Sequence, residues 1–435
     1  MTDSPTADSS SLEGTAMKTI AVAEHNRLCS GIPEGLISRA RRESGAEHVI
    51  VLLNGYFTDA GRPAPASVAS RAAQAVREGA DAVVRLPFAS TLNGDDSSAF
   101  GSISLLSRLH LVDEVVLPIR MSDPEFLNAI SMMLFTERPD YSRACRALLS
   151  SGCPDGEAIV QAAEKCMPGA EAVLRDPVTG RSVQLLTAVH KLYNPVKWHF
   201  LDLREADDGS AVNAQPDDAA AVNPQVDGAR TGNSQADGAQ AGNARANAAQ
   251  TGSAISGNAP SEEGLAEAMR SFLLEQDEPA LHKALADSVG LTSDLADHLL
   301  HERESIAAAD SFRSMVRAAG YPDDPEYMRR ILLRMLAGLR RSGLSMHMLY
   351  THAPYAAVAG AGPSAEAYLR KLSESSWTPV CRDPEAGQDP VLSSLKSPQE
   401  ALSSDESRLL LYRLDENARR LWESTAHSRY TPQTH

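Results

Sequence analysis

The stretch TIAVAEHNRLCSGIP, Thr19 to Pro33, carries the pattern that decides the fold class. It begins with an apolar run, passes through a polar loop, and leads into Pro33–Ser44, which has the pattern of a helix. In an α/β protein, a nucleotide usually binds at the loop between the first strand and the first helix. This loop has one central glycine, no lysine, and Cys29 where a stronger phosphate ligand is expected. The pattern leaves open whether the loop is a working site or the remnant of one.

The same alternation of strands and helices continues to about residue 120. Strand starts recur about every 30 residues, which is typical of βαβ units. The strands are apolar throughout, so we expect them to be buried on both faces of a parallel sheet. We predict an α/β fold, with a Rossmann-like parallel-sheet domain and a helical C-terminal region. The predicted strands are 19–23, 48–53, 81–86 and 114–118, and the predicted helices between them are 33–44, 66–78 and 98–109.

Composition and charge limit the function classes. A length of 435 residues suggests two or three domains, and 43% hydrophobic residues are enough for real cores. No apolar run is long enough to span a bilayer, and the polar N-terminal residues lack the pattern of a signal peptide. The five cysteines form no CxxC pair, which favours reduced thiols and argues against a zinc site. We therefore expect a cytoplasmic protein with no membrane partner, no DNA partner and no bound structural metal.

A decapeptide repeat interrupts the chain after residue 204. Asn213, Asn223, Asn233 and Asn243 stand in register within it, and large apolar residues are almost absent. Such repeats have nothing to bury, so we predict a disordered insertion, with a partner-binding array as the alternative. The predicted organisation is a disordered tail at 1–16, an α/β domain at 17–204, the insertion at 205–262, and a mainly helical region at 263–435.

Five further segments, in this order and spacing, resemble the tRNA(Met) cytidine acetate ligase family. Each segment alone is a weak signal, but five in order are fairly specific. The segments are VLLNGYFTDAGRPA at Val51–Ala64, SRAAQAVREGADAVVRLPF at Ser70–Phe88, DDSSAFGSISLLSRL at Asp95–Leu109, YMRRILLRMLAGL at Tyr327–Leu339 and YAAVAGAGPSAEAYLRKL at Tyr355–Leu372.

The resemblance implies a nucleotidyltransferase that uses ATP, with Mg²⁺, to activate acetate as acetyl-adenylate. The acetyl group then goes to the exocyclic amine of the wobble cytidine in elongator tRNA(Met). The implied partners are therefore tRNA and acetate. Donors must face the phosphate where negative charge develops, and Mg²⁺ neutralises the pyrophosphate.

The family's first loop, E-Y-N-P-F-H-N-G-H, aligns without gaps on residues 24–32. The resemblance implies that Glu24, Asn26 and Gly31 bind the nucleotide, together with Ser30 and the later Gly101. The alternatives are plain tight turns for the glycines and a helix cap for the serine. The two motif histidines are replaced by cysteine and isoleucine, so the catalytic residues stay unassigned.

Other positions also depart from the family. Its E-L-P glutamate is Arg85 here, and its basic K-T-K-R-Y stretch keeps one positive charge, Arg317. By resemblance, Arg317, Arg329 and Arg330 are candidate tRNA contacts. A solvated helix face, which also includes Arg334, is the alternative for the last two.

Two functions of different classes remain open. One is an ATP-dependent tRNA cytidine acetate ligase with a remodelled phosphate loop. The other is a catalytically inactive relative that binds a nucleotide, RNA or protein. The replacements at Cys29 and Ile32 are the reason for the second hypothesis, because removing one preorganised donor costs roughly 10²–10³ in rate.

Overall fold

The computed structural model of this chain describes residues 18–23, 35–92, 95–121, 123–153, 155–192, 196–204, 262–320, 325–342, 354–386 and 389–426. The predicted tail, 1–16, lies outside these ranges, as does the predicted insertion except for its last residue, Glu262. For residues 95–97 and 155, the structure describes the backbone alone.

Seven strands form one mostly parallel sheet in the spatial order β5-β4-β1-β2-β3-β6-β7. Strands β1 to β5 pair in parallel, β6 is antiparallel to β3, and β7 is parallel to β6. The predicted α/β fold is confirmed. The strands are β1 Thr19–Ala23, β2 His48–Leu53, β3 Ala82–Arg85, β4 Glu114–Ile119, β5 Lys197–Asp202, β6 Ala356–Ala361 and β7 Val380–Arg382.

Helices of the first part of the chain connect these strands and cover the sheet. The predicted helices of this part are present with shifts of a few residues at their ends. The helices are α1 Leu36–Ser44, α2 Val68–Arg77, α3 Phe88–Thr91, α4 Asp95–Arg108, α5 Pro124–Thr136, α6 Pro139–Ser150, α7 Asp155–Cys166, α8 Ala170–Arg175 and α9 Thr179–Lys191.

The part of the chain that follows residue 261 is mainly helical, as predicted. It begins with a helical bundle and ends with a long helix that packs on the first helix of the bundle. The helices are α10 Glu263–Leu274, α11 Glu278–Ala286, α12 Ser293–His301, α13 Arg303–Ala307, α14 Phe312–Ala318, α15 Pro325–Ala337, α16 Glu366–Ser375, α17 Pro398–Leu402 and α18 Glu406–Ala426. Within the described ranges, no helix is both long enough and apolar enough to cross a membrane.

Alternation along the parallel strands divides the core into two layers. On β2, Val49, Val51 and Leu53 point into one cluster, which continues into the helical bundle. Ile50 and Leu52 point into the other cluster, under α4 and α16. The β-rich segments are apolar on both faces because each face has its own layer of helices.

The C-terminal region completes the sheet of the first domain. The segment Ala356–Ala361 is β6 and pairs with β3. The long helix α18 then packs against α10 at a close contact, where a Cβ on Gly264 would lie 2.3 Å from the Ser424 carbonyl oxygen. The two parts of the chain therefore share one sheet and one continuous apolar core.

A buried charge cluster joins the two parts at the end of β3. Arg85 is 1% exposed, and its Nε lies 2.5 Å from Asp383 while its Nη1 lies 2.7 Å from Asp415. The other oxygen of Asp415 accepts a hydrogen bond of 2.6 Å from the Phe88 amide. Tyr355 also donates its hydroxyl to Asp415. The guanidinium thus links β3, the turn after β7 and helix α18.

Removing this guanidinium tests its structural role. We expect Arg85→Met to lower the free energy of unfolding by about 3–5 kcal/mol, because it leaves two buried carboxylates without their cation. Urea unfolding measures the loss. The matched control is Arg370→Met, whose i,i+4 pair with Glu366 is 65% and 61% exposed. It should cost less than about 0.5 kcal/mol. Equal stability of the two variants would contradict a structural role for the cluster.

A neighbouring carboxyl makes stability depend on pH. Burial raises the pKa of Glu385 above its usual value, and the charge of Asp383 raises it further. Folded Glu385 keeps its proton at a pH at which the unfolded chain has lost it. The free energy of unfolding should therefore fall as pH rises above the usual glutamate pKa of about 4.3.

Glu385→Gln should remove this part of the pH dependence, so the variant gains stability relative to the parent as pH rises. Urea unfolding between about pH 4 and pH 7 measures the difference. Glu400→Gln is a control of opposite sign, because hydrogen bonds from the Ser397 backbone and hydroxyl lower the pKa of Glu400. A Glu385→Gln curve parallel to that of the parent would show that this carboxyl does not titrate differently on unfolding.

Candidate nucleotide site

The order of the parallel strands creates a crevice at one edge of the sheet. Strand β1 lies between β2, the next strand in the chain, and β4, the third strand after β1. The connections therefore leave the carboxyl ends of β1 and β4 in opposite directions. In open α/β sheets, ligands bind outside the carboxyl ends of the strands at such a point. The fold thus places the candidate site at the end of β1.

The loop predicted to bind the nucleotide is attached at this point. It leaves β1 after Ala23 and enters α1 at Leu36. Glu24, Asn26, Ser30 and Gly31 lie outside the described residues, as do the two replaced histidine positions. Their roles remain predictions, but both ends of the loop are where a nucleotide-binding loop belongs.

The segment after β2 lies at the same end of the sheet as the first loop. Arg71 of α2 is buried and donates hydrogen bonds to the carbonyl oxygens of Asn54, Gly55 and Ala66. The Arg71 guanidinium therefore fixes the backbone conformation of the segment that follows β2.

Gly101, the fifth predicted nucleotide-binding residue, lies in α4 against the short helix α3. A Cβ on Gly101 would be 2.8 Å from the Cβ of Ser90, closer than real Cβ atoms approach. The contact between the two helices is therefore sufficient reason for a glycine at this position. Contact with a nucleotide remains a prediction.

Helix α15 brings its arginines to the same edge of the sheet. Arg329, Arg330 and Arg334 are only 7%, 6% and 4% exposed. Arg334 donates to the carbonyl oxygen of Leu92, just after α3. The alternative expectation of a solvated helix face is therefore wrong, because the helix is packed between the bundle and the sheet domain.

The three candidate tRNA contacts have different surroundings. Arg329 pairs with Glu262 and lies over the ring of Phe312, with 5.5 Å between its Cζ and the ring centroid. Arg330 is buried in the same helix. Arg317, at the end of α14, is exposed. RNA contact remains a prediction for all three, and the solvent-facing position of Arg317 suits it best.

One residue at this edge was missed by the sequence interpretation. Asn54 is fully buried directly after β2, and neither polar atom of its side chain has a hydrogen-bond partner within the described part of the chain. A polar residue that ends an apolar strand at the carboxyl edge of a parallel sheet is a signal that the sequence contains.

No metal-binding cluster supplements these residues. In the ranges that the structure describes, no three His, Cys, Asp or Glu side chains are grouped so that they could hold a metal ion. An ion at this edge would depend on ligands from outside those ranges or from a bound phosphate, as is usual for Mg²⁺ at nucleotide sites.

A parallel sheet with a strand–loop–helix connection at its switch point is the architecture of a nucleotide-binding α/β protein. The family comparison agrees with this class. Residues 17–425 match the family model described as HIGH Nucleotidyl Transferase, and the chain belongs to that family.

Curated relatives with similar sequences are tRNA(Met) cytidine acetate ligases. The protein from Caldanaerobacter subterraneus subsp. tengcongensis is 28% identical over 178 residues, which are 40% of this chain and 44% of that protein. The protein from Thermosipho melanesiensis is 32% identical over 125 residues, 28% of this chain and 29% of the relative. The matched segments thus span less than half the length of these relatives.

A solved structure is similar over almost the whole chain. The structure of Thermotoga maritima TmcAL bound with α-thio ATP matches with a TM-score of 0.66 and 17% identity, covering 94% of this chain and 95% of that one. At this identity, the likeness establishes the fold, including the helical C-terminal region.

The contact of Gly101 can be separated from nucleotide binding. We expect Gly101→Ala to cost about 1–3 kcal/mol of stability through overpacking, and the added Ser90→Gly to recover part of it by removing the opposing Cβ. Thermal unfolding measures both variants. A double variant that is no more stable than Gly101→Ala would contradict the packing role of Gly101.

Proposed function

We propose that this chain is an ATP-dependent ligase that activates acetate and transfers the acetyl group to a cytidine of tRNA(Met). The observation that carries this proposal is the family match over residues 17–425. The curated relatives with this activity and the position of the first loop at the switch point support it. The substrates come from the names of those relatives.

The proposed reaction has two steps. An acetate oxygen attacks the α-phosphorus of ATP, and pyrophosphate leaves; the cytidine amine then attacks the acyl carbon, and AMP leaves. Mg²⁺, when bound with ATP, neutralises charge on the phosphates.

The loop residues Glu24, Asn26, Ser30 and Gly31 would hold the nucleotide at the end of β1, with Gly101 beside them. Arg334 of α15 is held near this end of the sheet by its hydrogen bond to the carbonyl oxygen of Leu92.

The proposed RNA contact uses little positive charge. The chain carries a net charge of −16, and Arg329 is already paired with Glu262. Fewer contacts to phosphates give weaker binding that depends less on salt. We therefore infer a limited contact that includes Arg317, in a protein that works in the cytoplasm, where tRNA and ATP are available.

The second candidate function is a non-catalytic relative that binds a nucleotide, RNA or protein. Cys29 and Ile32 favour it, because isoleucine cannot donate a hydrogen bond to a phosphate. Loss of two preorganised donors could slow the reaction by about 10⁴–10⁶ if nothing compensates.

Restoring the histidines tests the proposed function. The purified chain is incubated with ATP, Mg²⁺, labelled acetate and bulk tRNA, and label in RNA is counted. We expect Cys29→His with Ile32→His to raise the rate by at least about 10², because each new donor can stabilise the charge on the phosphate.

A matched control carries histidines at Cys153 and Ile159, which lie away from the sheet edge and are at least partly exposed. A curated tRNA(Met) cytidine acetate ligase shows that the assay works. No label from either the parent or the restored variant, with both folded, would overturn the ligase and leave the binding function.

A further inference from the structure

Asn54 combines complete burial with an unused side-chain amide. Its side chain is 0% exposed, and neither Nδ2 nor Oδ1 has a hydrogen-bond partner among the described residues. Its backbone carbonyl accepts a hydrogen bond of 2.8 Å from Arg71. Burial of an amide without partners costs free energy, so such a group calls for a specific explanation.

The strand register places Asn54 at the candidate site. Leu52 pairs with Ala23, the last residue of β1, so Asn54 lies two positions beyond the end of that pairing. Alternation along β2 puts Asn54 on the same face as Ile50 and Leu52, which is the face covered by α4. Asn54 therefore stands at the carboxyl edge, beside the point where the first loop begins.

A second unpaired polar group belongs to the same face and edge. Ser98 lies in the first turn of α4, which begins at the carboxyl edge because it leads back to the start of β4. It is 0% exposed, and its hydroxyl also lacks a partner among the described residues. The edge thus offers an amide and a hydroxyl to a ligand.

The Nδ2 and Oδ1 atoms of the Asn54 amide indicate which hydrogen-bonding groups that ligand must offer. Nδ2 needs an acceptor and Oδ1 needs a donor. A carboxylate or a phosphate ester offers acceptors alone and would leave Oδ1 unsatisfied. An exocyclic amine beside a ring nitrogen satisfies both, as adenine does for asparagine in nucleic-acid recognition.

We propose that the Asn54 amide binds the amine edge of an aminated nucleobase, adenine or cytosine, with Oδ1 accepting from the exocyclic amine and Nδ2 donating to the ring nitrogen. The Ser98 hydroxyl supplies a further polar contact at the same edge. This inference rests on the proposed function for its two sources, the base of ATP and a cytidine of RNA.

Two pairs of probe molecules, each differing in one base, isolate this contact. Hypoxanthine and uracil exchange the donor and the acceptor relative to adenine and cytosine. Equilibrium binding is measured for ATP against ITP, and for two anticodon-arm RNA hairpins that differ only by C or U at one loop position. We expect the parent to prefer one or both aminated bases by about tenfold, which is within the usual value of a bidentate base contact.

Asn54→Leu should abolish that preference and leave the binding of ITP or of the U hairpin unchanged. Asn54→Ser is the second variant, since it fills less space and keeps a polar atom if leucine disturbs folding. The matched control is Asn128→Leu in α5, whose amide contacts His190 at 3.3 Å. It should retain the preference.

Loss of the ATP preference identifies adenine as the ligand, and loss of the hairpin preference identifies cytosine. An unchanged preference in a folded Asn54 variant overturns the inference, as does a parent chain that binds none of the four probes. Because these readouts are equilibrium constants, a chain that shows the preference but transfers no acetyl group would retain this inference and lose the proposed ligase function.

Discussion

The ion cluster around Arg85 is the constraint on which the shared sheet depends. A guanidinium at the end of β3 has left water completely, so it requires negative partners at close range. The two partners, Asp383 and Asp415, come from segments about 300 residues further along the chain. The buried charge of Arg85 thus fixes the positions of Asp383 and Asp415, and with them the C-terminal region, relative to β3.

The sequence predicts the parallel half of the sheet well, because that half is determined by local pattern. The segments at β1, β2, β3 and β4 are short apolar runs separated by amphipathic helices, and the structure confirms all four. Strand β6 is harder to predict, since AAVAGA at Ala356–Ala361 consists mainly of small residues with weak strand preference. Its place beside β3 depends on pairing with a strand far away in the chain, which no local pattern reveals.

The sequence predicts where the candidate site lies, while the roles of its predicted residues remain predictions. The resemblance and the strand pattern place it after β1, where the switch point lies. The arginines of α15 were expected at the surface because arginines usually are. In fact residues 328–335 of this helix are all buried. Arginine can pair or stack at an interface when the packing of neighbouring elements supplies partners, and the sequence of one helix does not show those partners. Asn54 escaped notice for a related reason, since only three-dimensional packing shows that its amide has no partner among the described residues.

The shared sheet also has a consequence for the predicted insertion between β5 and α10. The chain before residue 205 and the chain after residue 261 contribute adjacent strands, β3 and β6, to one sheet and side chains to one core. A cut within the insertion would therefore give two fragments that are held together by noncovalent contacts, each lacking part of the core that the other provides.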